Sequence, residues 1–545
     1  MALAPRQAGS SIKPLVYLSA FERGWTPATL LWDVQTQFPD GVNPPYIPKN
    51  YDDEFHGPLR VRPALGNSYN IPAVKALEFV GVCEFIANVQ KVGLTTLQDT
   101  GCAETGQPRD HGLSLALGSG EIPPLEMAGA FGALANGGRY IQPYAIRRIE
   151  DRQGNVLYDY AAPDAAAAQV VRAEHAYLLT SILSDNNARL AEFGQTNLLD
   201  IPGYQVAVKT GTSGSTASDV RDGWTIGYTP QALAAVWIGN TDNSPVAAGQ
   251  SGYRLAAPIW NQFMTQYLAG KEALTFPRPA GVVEREICAD TGIAVSATTP
   301  CAQRLVEVFA ADQPPLDETQ GTTRVSIDLW TGLRANEFCN DAVYEATFGG
   351  GVPVNGRPEV LERERTLAQQ WLQTVGQGWS GQSSGGVTFG APPAVACDAN
   401  TPRPRAEITR PREDRDIPDR REVRIEGTAM GPNFAGYQVE YGLGENPGGW
   451  GLVQERRPDA VQDNLLAIWD TSQIDYSGPV TIRVIVFGPD NPNTPENDPV
   501  TKEGRMVVNL AQPTATATTT PTETPTATLT LQPTATATLF PTATA

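Results

Sequence analysis

The spacing of apolar positions changes along the chain, and the changes outline its organisation. Over residues 11–23, Ile12, Leu15, Leu18 and Phe21 recur at helical spacing, with Pro14 tolerable in the first turn and Gly24 placed to end the helix. A second helical pattern covers 172–186. Short β-type runs follow, YQVAVKTGT, GWTIGYT and ALAAVWIGN, separated by turns. Helices followed by antiparallel strands predict an α+β core over 1–270. Residues 271–404 hold many prolines and glycines and one amphipathic pattern, PEVLERERTLAQQWL from Pro358, so they read as a connecting region with some ordered structure.

From 405 to 511 the texture becomes short alternating strands, EVRIEGTA, GYQVEYG, NLLAIWD, PVTIRVIVFG and RMVVNL, bounded by Gly, Pro, Asn and Asp. Strands at that spacing predict an all-β sandwich of immunoglobulin-like or fibronectin-like type. The remainder, 512–545, repeats PTATAT-like units with Glu523 as its only charge, and is expected to be disordered because it has too few large apolar groups to offset the entropy of ordering. Such a tail is either an O-glycosylated stalk or a plain flexible extension.

Charge narrows the partners. With 40 Lys+Arg against 59 Asp+Glu, the net of −19 argues against nucleic acid or an anionic membrane surface. No apolar run reaches membrane-spanning length, and residues 1–9 lack the features of a signal peptide. The six cysteines, Cys83, Cys102, Cys288, Cys301, Cys339 and Cys397, include no C-x-x-C pair and fit structural disulfides better than zinc. Cys288 with Cys301 is the favoured pairing, since both lie in one turn-rich segment; six reduced buried thiols are the alternative. His56, His111 and His175 are scattered, so neither a metal site nor a cofactor is expected.

The chemistry concentrates in three short motifs. Ser10 and Lys13 stand three residues apart at the start of the first helix, on one face, so the amine can reach the hydroxyl. A serine hydroxyl needs a base, and a lysine is one only if burial or a second cation lowers its pKa. Lys209, in Lys209-Thr210-Gly211-Thr212 at the end of an apolar strand, supplies that cation and can attract a substrate carboxylate, with Thr210 and Thr212 as hydroxyl donors. Gly211, bare of side chain, lets a substrate backbone lie along the strand edge. Between them, Ser68-Tyr69-Asn70 offers a hydroxyl to pass a proton and an amide to hold substrate. A Ser-x-x-Lys alone is weak, describing equally a capping serine and a solvated lysine; three motifs in this order are a strong signal.

On these motifs and on longer stretches such as RQAGSSIKPLVYLSA, TPATLLWD, NYDDEFHGPLRVRPALGNSYNIPAVK and DGWTIGYTPQALAAVWIGN, the chain resembles, over about 1–265, the transpeptidase half of class A high-molecular-weight penicillin-binding proteins, the bifunctional peptidoglycan synthases. The resemblance implies the fold shared with serine β-lactamases, an antiparallel sheet with helices. It implies acylation of Ser10 by a stem peptide ending in D-Ala-D-Ala, an oxyanion hole from the N–H groups of Ser10 and Thr212, and cross-linking by a second peptide's amine. β-Lactams would be inhibitors and the cell envelope the location. Nine residues precede Ser10 where the family carries an anchor, a glycosyltransferase domain and the first strands of the sheet. The resemblance therefore implies a partner piece supplying these and a sheet with an exposed apolar edge beside Lys209. Tyr69 stands where Leu or Arg is commoner. The alternatives are a DD-carboxypeptidase, a β-lactamase, for which no Glu-x-x-Leu-Asn is found between Ser68 and Lys209, and a non-catalytic wall-binding relic.

Overall fold

The computed structural model describes residues 2–511 apart from 41–42, 161–167, 215–218, 298–300, 302, 318–319, 321, 350–357, 375–382, 385–386, 390–391, 394, 414, 418–421, 492–493 and 495. The tail expected from Gln512 lies outside the described residues. The chain forms two compact units. The first comprises Met1–Asp328 and Gly332–Thr401, and the second Leu329–Thr331 with the chain from Pro402 onward.

The first unit is built around helix α1, Lys13–Glu22, with a proline in its first turn. Its whole length from Lys13 to Phe21 is buried, so the helix is apolar all round rather than on one face. Strands β1 (Leu30–Asp33) and β2 (Gly57–Arg60) pair antiparallel and lead into α2, Val61–Gly66. Helices α3 (Asn70–Val80), α4 (Val82–Lys91), α5 (Pro124–Ala135) and α6 (Ala173–Leu183) surround α1 with a core that includes Leu15, Phe21, Leu77, Phe85, Phe131 and Leu179.

Three strands follow, β3 (Ala207–Thr212), β4 (Asp222–Tyr228) and β5 (Leu233–Gly239), in the antiparallel order β5-β4-β3. Side-chain alternation divides them between two layers. Ala207, Trp224, Ile226 and Tyr228 join the helical core, while Val206 and Val208 pack with Trp260, Met264 and Leu268 of α7, Ala257–Leu268. The apolar edge expected beside Lys209 is not there. Residues 207–211 of β3 are all buried, whereas every residue of β5, at the opposite edge, is at least partly exposed.

Of the stretch read as a connecting region with some ordered structure, 271–328 and 332–401 fall in the first unit, and their described residues include two strand pairs and a helix. Strands β6 (Val282–Cys288) and β7 (Arg304–Ala310) pair antiparallel, as do β8 (Thr322–Asp328) and β9 (Val343–Gly349), and α8 runs from Pro358 to Thr374. The two strand pairs repeat one design, the first strands 40 residues apart and the second strands 39, which periodicity did not reveal. Cys288 and Asp328 each donate N–H five residues ahead, to Ile293 and Leu333, and the turns hold Gly292 and Gly332 at φ 71° and 72°. Disulfides join Cys288 to Cys301, the favoured pairing, Cys83 to Cys102 and Cys339 to Cys397, with Cα separations of 5.5, 5.3 and 6.2 Å.

The second unit is all-β. Strands β10 (Arg405–Arg410), β11 (Val423–Met430) and β14 (Val461–Trp469) form one sheet. A second contains β12 (Gly436–Leu443), β13 (Gly451–Arg457), β15 (Gly478–Asp490) and β16 (Pro499–Leu510), with a short piece at Asp416–Ile417. Ile425, Leu466, Trp469, Val439, Ile482, Val484 and Val508 are buried in this unit. Strands β10 and β13 were not read from the sequence, because their residues are mostly charged or half-exposed.

Candidate active site

Ser10 sits in the 3-10 turn Gly9–Ile12, which runs directly into α1. The turn touches β3 backbone to backbone. Gly9 has φ 54°, and a Cβ there would overlap the carbonyl of Thr212. A Cβ on Gly211 would stand 2.6 Å from the Ala8 carbonyl oxygen and 2.8 Å from Ser11 N. This corrects the reason given for Gly211: the space left by its missing side chain is filled by residues 8–11 of the same chain, not kept for a substrate.

The outer edge of β3, though buried as far as Gly211, has no strand partner among the described residues. Ser213 N–H donates to the Asp222 carbonyl across the β3–β4 ladder at 3.0 Å, so alternation directs the N–H of Thr212 to the opposite side, where β3 has no strand neighbour among the described residues. Thr212 Oγ1 accepts the N–H of Gly252 at 2.9 Å and keeps its own proton to donate.

Lys13, Ser68, Asn70 and Lys209 converge. Lys13 is fully buried, and its Nζ donates to Asn70 Oδ1 at 2.6 Å and to the Ser68 carbonyl, with Ser68 Oγ at 3.4 Å. Lys209 Nζ donates to the same Ser68 Oγ at 2.7 Å and to the Thr210 carbonyl at 3.0 Å. The Ser68 hydroxyl thus lies between two amines. Its backbone is left-handed at φ 64°, an uncommon state for serine, held by N–H bonds from Ser68 to Leu65 and from Tyr69 to Ala64. Spacing predicted that Lys13 reaches the Ser10 hydroxyl; the hydrogen bonds it makes go to Ser68 and Asn70, and among the described residues none is made by Ser10 Oγ.

Burial, and then the neighbouring charge of Lys209, hold the Lys13 pKa well below the usual lysine value, against the upward pull of Asp33 and Glu192. Burial lowers Lys209 to about 7, with Glu192 opposing and Arg189 adding to the effect. A neutral amine has two N–H donors and one lone pair. The Ser68 carbonyl and Asn70 Oδ1 take both donors of a neutral Lys13, leaving its lone pair as a proton acceptor.

Sequence reasoning missed the groups behind these. Asp33, at the end of β1, is fully buried, Asn50 nearly so, and His56 half-buried. Glu192 carries its charge within electrostatic reach of both lysines. A carboxylate closing the apolar run Leu30-Leu31-Trp32 was the available signal for Asp33. His56 was set aside as scattered. Asp52, Glu54 and His56 offer ligand atoms within 4.8 Å of one another, but Asp33 and Asp52 already engage both ring nitrogens of His56, so we assign no metal there.

Residues 3–265 match the family described as penicillin binding protein transpeptidase domain. Those residues belong to the penicillin-binding protein transpeptidase family. Among curated relatives, penicillin-binding protein 1A of Pseudomonas aeruginosa is 30% identical over 360 residues, covering 57% of this chain and 42% of that protein. Penicillin-binding protein 2D of Bacillus subtilis is 32% identical over 327 residues, covering 58% and 44%. The chain also aligns with the crystal structure of penicillin-binding protein 1A from Haemophilus influenzae at TM-score 0.49 and 27% identity, over 57% of this chain and 48% of that one. The chain spans less than half the length of the curated relatives it matches. No helix of the described residues is long and apolar enough to cross a membrane.

Proposed function

We propose that this chain is a serine DD-transpeptidase of peptidoglycan synthesis, with Ser10 as nucleophile. The supporting observation is the meeting of Lys13, Ser68, Asn70 and Lys209 beside a strand that has no partner on its outer edge among the described residues and packs against the Ser10 turn. In this reading a stem peptide lies along the edge of β3. Its terminal carboxylate is held by Lys209 and the Thr210 and Thr212 hydroxyls, and Asn70 holds its amide. Lys13 takes the Ser10 proton as Oγ attacks the penultimate D-Ala carbonyl, and the N–H groups of Ser10 and Thr212 stabilise the oxyanion. Ser68, between the two amines, passes a proton to the departing D-Ala nitrogen. The acyl-enzyme is then resolved by an amine of a second stem peptide, which forms the cross-link and regenerates Ser10. β-Lactams would acylate the same oxygen.

Three disulfides fit an oxidising, extracytoplasmic location at the cell envelope. Labelling with a fluorescent penicillin tests the assignment: the wild type is expected to label covalently and Ser10→Ala not at all. Equal labelling of the variant removes Ser10 from the reaction, and an unlabelled wild type favours a non-catalytic wall-binding role. Product analysis with an amine acceptor present separates cross-linking from DD-carboxypeptidase hydrolysis.

A further inference from the structure

We infer that Asp33 is a positioning residue for the Ser68–Asn70 motif, acting through Asn50 on one side and His56 on the other; this rests on the transpeptidase reading above. Helix α3 starts at Asn70, and Tyr69, at its N-cap, contributes no side-chain acceptor. One of the orphan N–H groups of the helix is satisfied from a distance instead: Asn70 N–H donates to Asn50 Oδ1 at 2.7 Å. The same Asn50 side chain donates through Nδ2 to Asp33 Oδ2 at 2.7 Å and to the Glu54 carbonyl at 2.9 Å, so its amide cannot rotate without losing a partner. The neighbouring Lys49 carbonyl takes Asn70 Nδ2 at 2.7 Å, which leaves Asn70 Oδ1 facing Lys13.

On the other side, Asp33 Oδ2 also accepts from the His56 backbone N–H at 3.1 Å and lies 2.6 Å from Nδ1 of its ring. That ring stacks on Tyr69 with centroids 3.9 Å apart, and its Nε2 lies 3.1 Å from Asp52. One buried carboxylate oxygen therefore anchors both residues that touch the chain just after Ser68. The second oxygen, Oδ1, is buried and has no hydrogen-bond partner among the described residues. Its charge is instead felt electrostatically by Lys13 and Tyr17. The groups around Lys13 are thus Ser68 and Asn70 in contact and Lys209, Asp33 and Glu192 through charge. The hydrogen bonds of Asp33 go to Asn50 and His56, and these two residues meet the middle motif at the Asn70 N–H and the Tyr69 ring.

The test uses the full chain and a chromogenic β-lactam, separating the acylation rate at saturation from the apparent affinity, at a temperature where circular dichroism shows each variant folded. Asp33→Asn is expected to slow acylation roughly ten- to hundred-fold, with affinity changed much less. It is also expected to move the acid limb of the rate profile to lower pH, because the Asp33 charge raises the Lys13 pKa. A merely structural role would not move that limb. Asn50→Asp sets two carboxylates face to face and should be equally slow, while the swap Asp33→Asn with Asn50→Asp restores a donor–acceptor match and should recover part of the rate.

Should Asp33→Asn fail to fold, His56→Phe keeps the stack on Tyr69 and the backbone N–H bond to Asp33 but loses both ring links to carboxylates, and a several-fold slowing is expected. Wild-type rates and an unmoved acid limb in Asp33→Asn, or wild-type rates in His56→Phe together with Asn50→Asp, would overturn the inference. If the wild type itself is not acylated, the transpeptidase reading fails instead. Faster amide exchange at Asn70 in Asp33→Asn than in wild type then still supports the positioning, and unchanged exchange rejects it.

Discussion

Two lysines share one serine hydroxyl, and their burial costs the fold stability in a pH-dependent way. Lys209 keeps its proton up to about pH 7 in the folded chain and up to an ordinary value near 10.5 when unfolded. Between those limits the unfolded chain binds more protons, so stability rises with pH across that window; Lys13, whose pKa is also lowered, adds to it with the same sign. His56 works in the other direction. Burial opposes its charge, but the Asp33 and Asp52 carboxylates outweigh that and raise its pKa, so its contribution is lost as pH rises through the raised value. Denaturant melts from pH 7 to 10 are expected to show the wild type gaining stability and Lys209→Met gaining distinctly less. Identical slopes would mean that Lys209 is not titrating as a buried group. Under the proposed reading, the same residue would offer a substrate carboxylate progressively less positive charge above about pH 7.

Among elements, α8 reaches the surroundings of the site from 289 residues further along the chain, through Lys75 of α3. Its Glu364 lies 2.5 Å from Lys75 of α3, both almost fully buried, and Lys75 also donates to the Trp32 carbonyl at 2.7 Å, next to Asp33. Arg363 bonds both carboxylate oxygens of Glu78, and Trp371 meets Trp32 edge-on and fills the space over Gly57. Removing one partner of a buried ion pair leaves the other uncompensated. Glu364→Gln is accordingly expected to cost about 3 kcal/mol in chemical denaturation, and Lys75→Met with Glu364→Leu to recover most of it. A loss below about 0.5 kcal/mol, the scale of an exposed pair, would show that solvent reaches Lys75. The amphipathic period of 358–372 announced this helix, but periodicity carries no information about which surface a helix covers. For the same reason the three short motifs were readable as residue types in order, while Asp33, Asn50 and His56 were not. Their roles exist only through hydrogen-bond partners 17 to 23 residues away, brought close by β1–β2 pairing and the entry to α3.

For the molecule as a whole, the difference between reading and structure is where the unit that holds the candidate site stops. Apolar periodicity falls away after α7, which suggested an end near 270, yet the charges buried before that point find their partners after it. Glu307, nearly fully buried, lies 2.5 Å from Arg62 and 3.5 Å from Arg60 at the β2–α2 junction, and Arg60 Nε donates to the Ala289 carbonyl. Burial lowers the Arg60 pKa despite Glu307, a sign of how poorly that guanidinium would fare without it. A chain ending near 270 would leave Arg60, Arg62, Lys75 and Glu78 without these partners and would uncover Trp32 and Gly57, several kcal/mol spread over one face of the unit. A chain ending at Thr401 retains every one of those contacts. In a penicillin-labelling assay after mild proteolysis or truncation, the 1–401 piece is therefore expected to label and the 1–270 piece to be insoluble or unlabelled. Equal labelling of the two would show that the buried ion pairs beyond α7 contribute nothing to holding the site together.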